Sequence, residues 1–210
     1  MNSVLSIARP AGTVSPSPDR RGFHFATVRR LVFGGASAAA LAACNSMPPV
    51  AVPAALAVPA GQSLATVASA KGVQIYECRK DKGLDAWVFV APEATLFDAR
   101  GREIGTHGPA ASGTGPFWQA TDGSRIVGAV RGRAEAPQDG AIAWLLLSTT
   151  AEGPQGTFST VKSVQRVNTV GGLPPKEGCA PGTYGQRLRA PYTATYQFFV
   201  EQNRTAGLSY

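Results

Sequence analysis

Tyr192-Thr193-Ala194-Thr195-Tyr196-Gln197-Phe198 alternates large or apolar residues with polar ones over seven positions. A period of two is the mark of a strand with one face buried and one face wet. No other repeat in the chain competes with it. Working backward from it, the body reads as short β-branched and aromatic runs separated by Gly, Pro and Asp-Gly. Ile142-Ala143-Trp144-Leu145-Leu146-Leu147 is apolar on both faces and is expected to be a central buried strand. Phe117-Trp118-Gln119-Ala120-Thr121 runs into Asp122-Gly123, a strong hairpin signal, with residues 124–133 as the return strand. Gly128 and Gly132 on that strand leave room on one face for a ring or another backbone. Residues 157–169 form a long, imperfectly alternating run, expected to be bulged.

Earlier in the body, residues 62–69 and 73–78 read as two strands with a turn at Lys71-Gly72. Residues 81–83 make the next turn. Residues 86–90, 94–97 and 103–107 follow, with a turn at 98–101 and a loosely composed loop at 108–115. Short strands at near-regular spacing, with no αβ alternation, predict an all-β fold: a single antiparallel β-sandwich or barrel-like domain.

Upstream lies a different kind of sequence. Arg29-Arg30 precede a 13-residue Gly/Ala/Leu run, residues 31–43, that ends in Leu41-Ala42-Ala43 and is followed by Cys44. Positive flank, apolar run and small-residue site make a signal peptide, and the run is too short to span a bilayer. The cysteine after the small residues resembles the lipobox of bacterial lipoproteins. That resemblance implies lipidation of Cys44 and a membrane partner reached through the lipid. Asn45 leans toward the periplasmic side of the outer membrane. The arginine pair leaves Sec and twin-arginine export both open. The expected organisation is an extension and leader over 1–43, a Pro/Ala linker over 44–55 acting as a spacer, and an all-β domain over 56–210.

Of the 20 Lys and Arg, five precede Cys44, as does one of the 13 acids, so the body carries only +3. With no basic cluster, nucleic-acid binding is disfavoured. Two cysteines remain, Cys78 and Cys179. In an oxidising compartment they are expected to form a disulfide closing a loop of roughly 100 residues, worth up to about 4.7 kcal/mol.

Seven segments, taken in order, resemble one family. They are Gly72-Val73-Gln74-Ile75-Tyr76-Glu77-Cys78; Trp87-Val88-Phe89 with Pro92-Glu93-Ala94; Gly105-Thr106-His107; Phe117-Trp118 with Asp122-Gly123-Ser124; Trp144-Leu145-Leu146-Leu147; Arg166-Val167-Asn168-Thr169 with Gly171-Gly172; and Pro191-Tyr192-Thr193-Ala194. Over about residues 56–200 the chain is similar to the domain-of-unknown-function 3455 family of small, mostly exported proteins. The resemblance implies no activity. The insert at 109–115 is longer and looser than the family pattern.

The chemistry-bearing residues are few. His107 is the one histidine of the body, so a His-rich metal site is excluded, and no metal or cofactor is expected. His107 with Asp122 and Ser124 could form a hydrolytic set, although Asp122-Gly123-Ser124 is explained by turn chemistry alone. Glu77, Glu93, Asp98, Glu103 and Asp122 could supply a carboxylate pair. Trp87 and Trp144 are expected in the core, Trp118 as a stacking platform beside a rim His107. The functional expectation is a non-catalytic cell-envelope binding or structural module. Its small-molecule or glycan ligand would be contacted at His107 and Trp118. The alternative is a small envelope hydrolase using His107 with Asp122 and Ser124, or a carboxylate pair.

Overall fold

The computed structural model describes residues 50–111 and 113–202. The leader, Cys44 and the first half of the proposed linker lie outside the described residues. Eight strands follow in order: β1 (Gln62–Asp81), β2 (Leu84–Phe97), β3 (Glu103–Pro109), β4 (Pro116–Ala120), β5 (Arg125–Ala134), β6 (Trp144–Ala151), β7 (Val161–Gly171) and β8 (Arg187–Glu201). Each pairs antiparallel with the next, and β8 pairs with β1, so the sheet closes into a barrel. Of the two all-β forms expected, the barrel is the one adopted.

The length of β1 makes closure geometric. Its residues 62–77 pair with β8, whereas residues 69–81 pair with β2. That offset along one strand is the stagger a sheet needs to meet its own edge. Lys71-Gly72 is therefore no turn but the middle of β1, where both neighbours are paired. Glycine is required there by crowding: a Cβ at Gly72 would lie 2.0 Å from the Glu93 carbonyl oxygen on β2. Residues 86–90 and 94–97 likewise merge into β2, with an irregularity opposite Ile75/Tyr76. The turn at residues 81–83 forms as read: Lys82 (φ 50°) and Gly83 (φ 87°) both sit in the left-handed region, which matches the strand twist.

Side chains on alternate positions fill the interior. Ala190, Tyr192, Ala194, Tyr196 and Phe198 of β8 are buried, while Arg189, Pro191 and Thr193 between them are exposed. Apolar inside and polar outside is the reverse of a membrane-spanning barrel. On β6 both faces are covered, as predicted. Leu145 and Leu147 join the interior core, and Trp144 and Leu146 face a second cluster with Leu56 and Val167.

The described half of the proposed linker, residues 50–55, and the start of the domain lie against that second cluster. Val50, Val52 and Val58 pack on it, and Leu56, in a 3₁₀ turn at Ala54–Leu56, is fully buried. The Gln165 amide donates to the Leu56 carbonyl at 2.6 Å. Apolar residues set among prolines here staple an extended segment to the barrel wall rather than keeping it free. Gly132 makes this possible, since a Cβ there would lie 2.0 Å from the Ala55 carbonyl oxygen. Gly128 meets the Trp118 ring instead. The two glycines thus serve opposite faces, not one, because the register shifts between Val130 and Gly132.

Cys78 and Cys179 are bonded, with Cα atoms 5.3 Å apart. The bridge pins the connection between β7 and β8 to the end of β1.

Candidate functional site

His107 on β3 lies in register with Trp118 on β4 and Ala94 on β2. Both ring residues point inward: His107 is 3 % exposed and Trp118 1 %. This corrects the rim expectation, because neither is presented to solvent outside the barrel. The rings stack on each other at 4.7 Å, and Tyr196 lies 5.0 Å from the imidazole. From Trp118 the aromatic contact continues to Phe198 and from there to Phe158, closing off that part of the interior.

The imidazole is fixed in one tautomer. Nδ1–H donates to the Phe117 carbonyl at 2.7 Å, so the proton is on Nδ1 and Nε2 is an acceptor. Burial, reinforced by the nearby Arg166 charge against the opposing pull of the Phe117 carbonyl, holds its pKa down to about 3. The ring is neutral at physiological pH.

What His107 and Trp118 border is a chamber of about 340 Å³, walled also by Tyr196, Leu145, Leu147 and Arg166, with Pro109 at the end of β3 and Gly113 and Gly115 of the β3–β4 loop. A second chamber of about 580 Å³ adjoins it and shares Phe89, Val130, Leu145 and Arg166. Gln74, Tyr76 and Trp87 line its far side, with Leu173 and Pro174 from the disulfide-pinned connection. Phe89 and Val130 are about half exposed despite their size. Volumes of this order suit small organic ligands.

Several polar groups in these walls are donors. The Tyr76 hydroxyl donates to the Gly172 carbonyl at 2.7 Å. Arg166 donates through Nε and Nη2 to the Ala143 carbonyl at 3.1 and 2.8 Å. Trp118 Nε1 is buried with no hydrogen-bond partner. So is Gln74 Nε2, which lies beside the Tyr192 hydroxyl without hydrogen-bond geometry. A buried donor left without an acceptor costs about 1–3 kcal/mol.

Asp122 and Ser124 are elsewhere. They form the β4–β5 turn, beyond the level of His107, Trp118 and Ile126. The Ser124 hydroxyl, fully buried, donates to Asp122 Oδ1 at 2.6 Å and accepts from the Phe158 N–H at 3.0 Å. Asp122 Oδ2 accepts from the Thr157 N–H and hydroxyl, each at 2.7 Å. These bonds, the Ser124 hydroxyl foremost, hold the Asp122 carboxyl well below the usual carboxylate range. The pair clamps the turn to the loop before β7, and no hydrogen bond joins either residue to His107. The nucleophile–base pairing of the alternative reading is not assembled, and the turn chemistry accounts for both residues.

Most of the candidate carboxylates are held by arginines. Glu77 faces Arg79 and Arg187, Glu93 faces Arg189, and Asp98 faces Arg102. Glu103 is exposed at the start of β3. Among the described residues no three His, Cys, Asp or Glu gather where a metal could bind. Trp87 departs from its expected core role: it is half-buried, lines the second chamber and donates to the Glu177 carbonyl at 3.1 Å. Trp144 is buried, but on the outer wall.

Sequence reasoning found His107 and Trp118 and missed Arg166 and Gln74. No local signal marks Arg166, because its strand mixes Lys162, Gln165 and Asn168 with the valines.

A family model described as "Protein of unknown function (DUF3455)" matches residues 59–200. No curated protein matches the chain.

Proposed function

The chain belongs to the DUF3455 family, and from the chambers inside its barrel we propose that it is a non-catalytic binding module of the cell envelope. Its ligand would be a small, largely apolar molecule. The observation that carries this is the chamber of about 340 Å³ walled by His107, Trp118, Tyr196 and Leu145, within a barrel whose other end is filled. Apolar walls favour a hydrocarbon or aromatic body over a glycan, which would need paired hydroxyl partners. The envelope address is supported by the leader motif around Cys44 and by the Cys78–Cys179 bond, a linkage suited to oxidising compartments. A non-catalytic role is supported by a neutral, wall-bonded His107 and by the structural bonding of Ser124 and Asp122.

The test is titration with the neutral fluorescent probe N-phenyl-naphthylamine. Saturable binding at one site per chain is expected, weakened at least about fivefold by Val130→Trp, which adds bulk to the wall that both chambers share. Absence of saturable binding, or an unaffected V130W variant, overturns the proposal.

A further inference from the structure

We propose that the chambers select an anionic ligand, a monocarboxylate on an apolar body, and that Arg166 holds its head. The inference rests on the ligand-binding reading above. Arg166 stands on β7 opposite Leu145 of β6 and Tyr196 of β8, both interior residues, and lies on the wall that the two chambers share. Its position is set by the bonds of Nε and Nη2 to the Ala143 carbonyl. These bonds, with the Tyr196 hydroxyl beside the guanidinium, occupy part of the fork but supply no negative charge. The ion pairs among the described residues engage Arg79, Lys80, Arg102, Arg125, Arg187 and Arg189, and none of the described carboxylates lies within ion-pair distance of Arg166.

A half-buried guanidinium without a counter-ion is unusual, because charge leaves water at low cost only when paired. The chamber walls do not remedy this. Asp81 lines the second chamber, but Arg133 lines it too. Glu93 lies outside that wall and faces Arg189. The uncharged groups tilt the same way, since Gln74 Nε2 and Trp118 Nε1 are buried donors without acceptors. An unmatched cation beside buried donors lacks a counter-charge, and a carboxylate supplies that charge together with acceptor oxygens. Arginine is suited to it because its planar fork can engage two carboxylate oxygens. His107 does not compete for the head. Its free nitrogen is an acceptor on a neutral ring, which has nothing to offer an anion. The head is thereby assigned to Arg166, and the body to the aromatic wall of His107, Trp118 and Tyr196.

The test compares each acid with its alcohol on the oxidised protein: decanoate against decanol, and phenylpropanoate against phenylpropanol. Binding is read by displacement of N-phenyl-naphthylamine and by calorimetry. The wild type should bind at least one acid about tenfold or more tighter than its alcohol. Arg166→Gln should lower that acid's affinity to the level of the alcohol and leave the alcohol unchanged. Arg166→Lys, which keeps the charge and loses the fork, should retain part of the preference and guards against misfolding of the first variant. Which acid binds separates a linear from an aromatic body. Equal binding of acid and alcohol by the wild type, or a preference that survives Arg166→Gln, overturns this inference while leaving the binding module standing. Failure of the probe and of all four compounds to bind overturns both.

Discussion

At the scale of single residues, three positions decide more than their neighbours. His107 is neutral in the fold, whereas the unfolded chain binds a proton below about pH 6.5. Its pKa is lowered on folding, so acid favours the unfolded state and stability falls as pH drops from about 6.5 toward 3. At pH 5 the loss is about 2 kcal/mol. His107→Asn, which can still donate to the Phe117 carbonyl, should flatten the decline in denaturation midpoint between pH 7 and 5. A parallel decline in both proteins would show that burial of His107 is not its cause. Asp122 works in the opposite sense of charge but the same direction of pH. Its stabilising bonds need the ionised form, so their contribution is present above the ordinary carboxyl pKa and is lost as pH falls through the depressed folded value. Asp122→Asn should lower the melting temperature at pH 7, with the gap narrowing in strong acid. Gly72→Ala should destabilise by about 1–3 kcal/mol, because the new methyl collides with backbone on the adjacent strand rather than with a movable side chain.

At the scale of elements, the informative pair is β6 and the segment at 50–58. A strand apolar on both faces must be covered twice. The barrel interior covers Leu145 and Leu147, and the segment with Leu56 covers Trp144 and Leu146. This segment precedes the region matched by the family model, yet it buries a tryptophan. Leu56→Ala should cost about 2–4 kcal/mol by opening a cavity between segment and wall. It should also shift Trp144 emission to longer wavelength. Unchanged emission in a folded variant would mean that Trp144 is protected by something other than this segment.

At the scale of the whole molecule, closure and the disulfide act together. The β1–β8 seam is the longest-range pairing in the chain. The Cys78–Cys179 bond, spanning 101 residues, joins β1 to the connection that enters β8. Replacing both cysteines with serine should lower stability by up to about 4.7 kcal/mol on the loop-entropy argument. Because the same connection supplies Leu173 and Pro174 to the second chamber, the double variant should also loosen probe binding. Stability loss without any change in binding would separate the bond from the site.

What the sequence determined by itself was local and periodic: the all-β class, the hairpin at Asp122-Gly123, the two-faced burial of β6 and the inward set of β8. Each follows from side-chain alternation or turn chemistry within a few residues. The disulfide followed from counting cysteines and reading the leader. Barrel closure, the place of Lys71-Gly72 within a strand, and the shared interior space bordered by His107 and Arg166 emerge only from the assembled fold. Closure depends on the stagger between strands far apart in sequence, and a single bulge reverses which residues face inward. Arg166 stands 59 positions beyond His107 in the chain, and nothing in its own neighbourhood announces that it faces the same chamber.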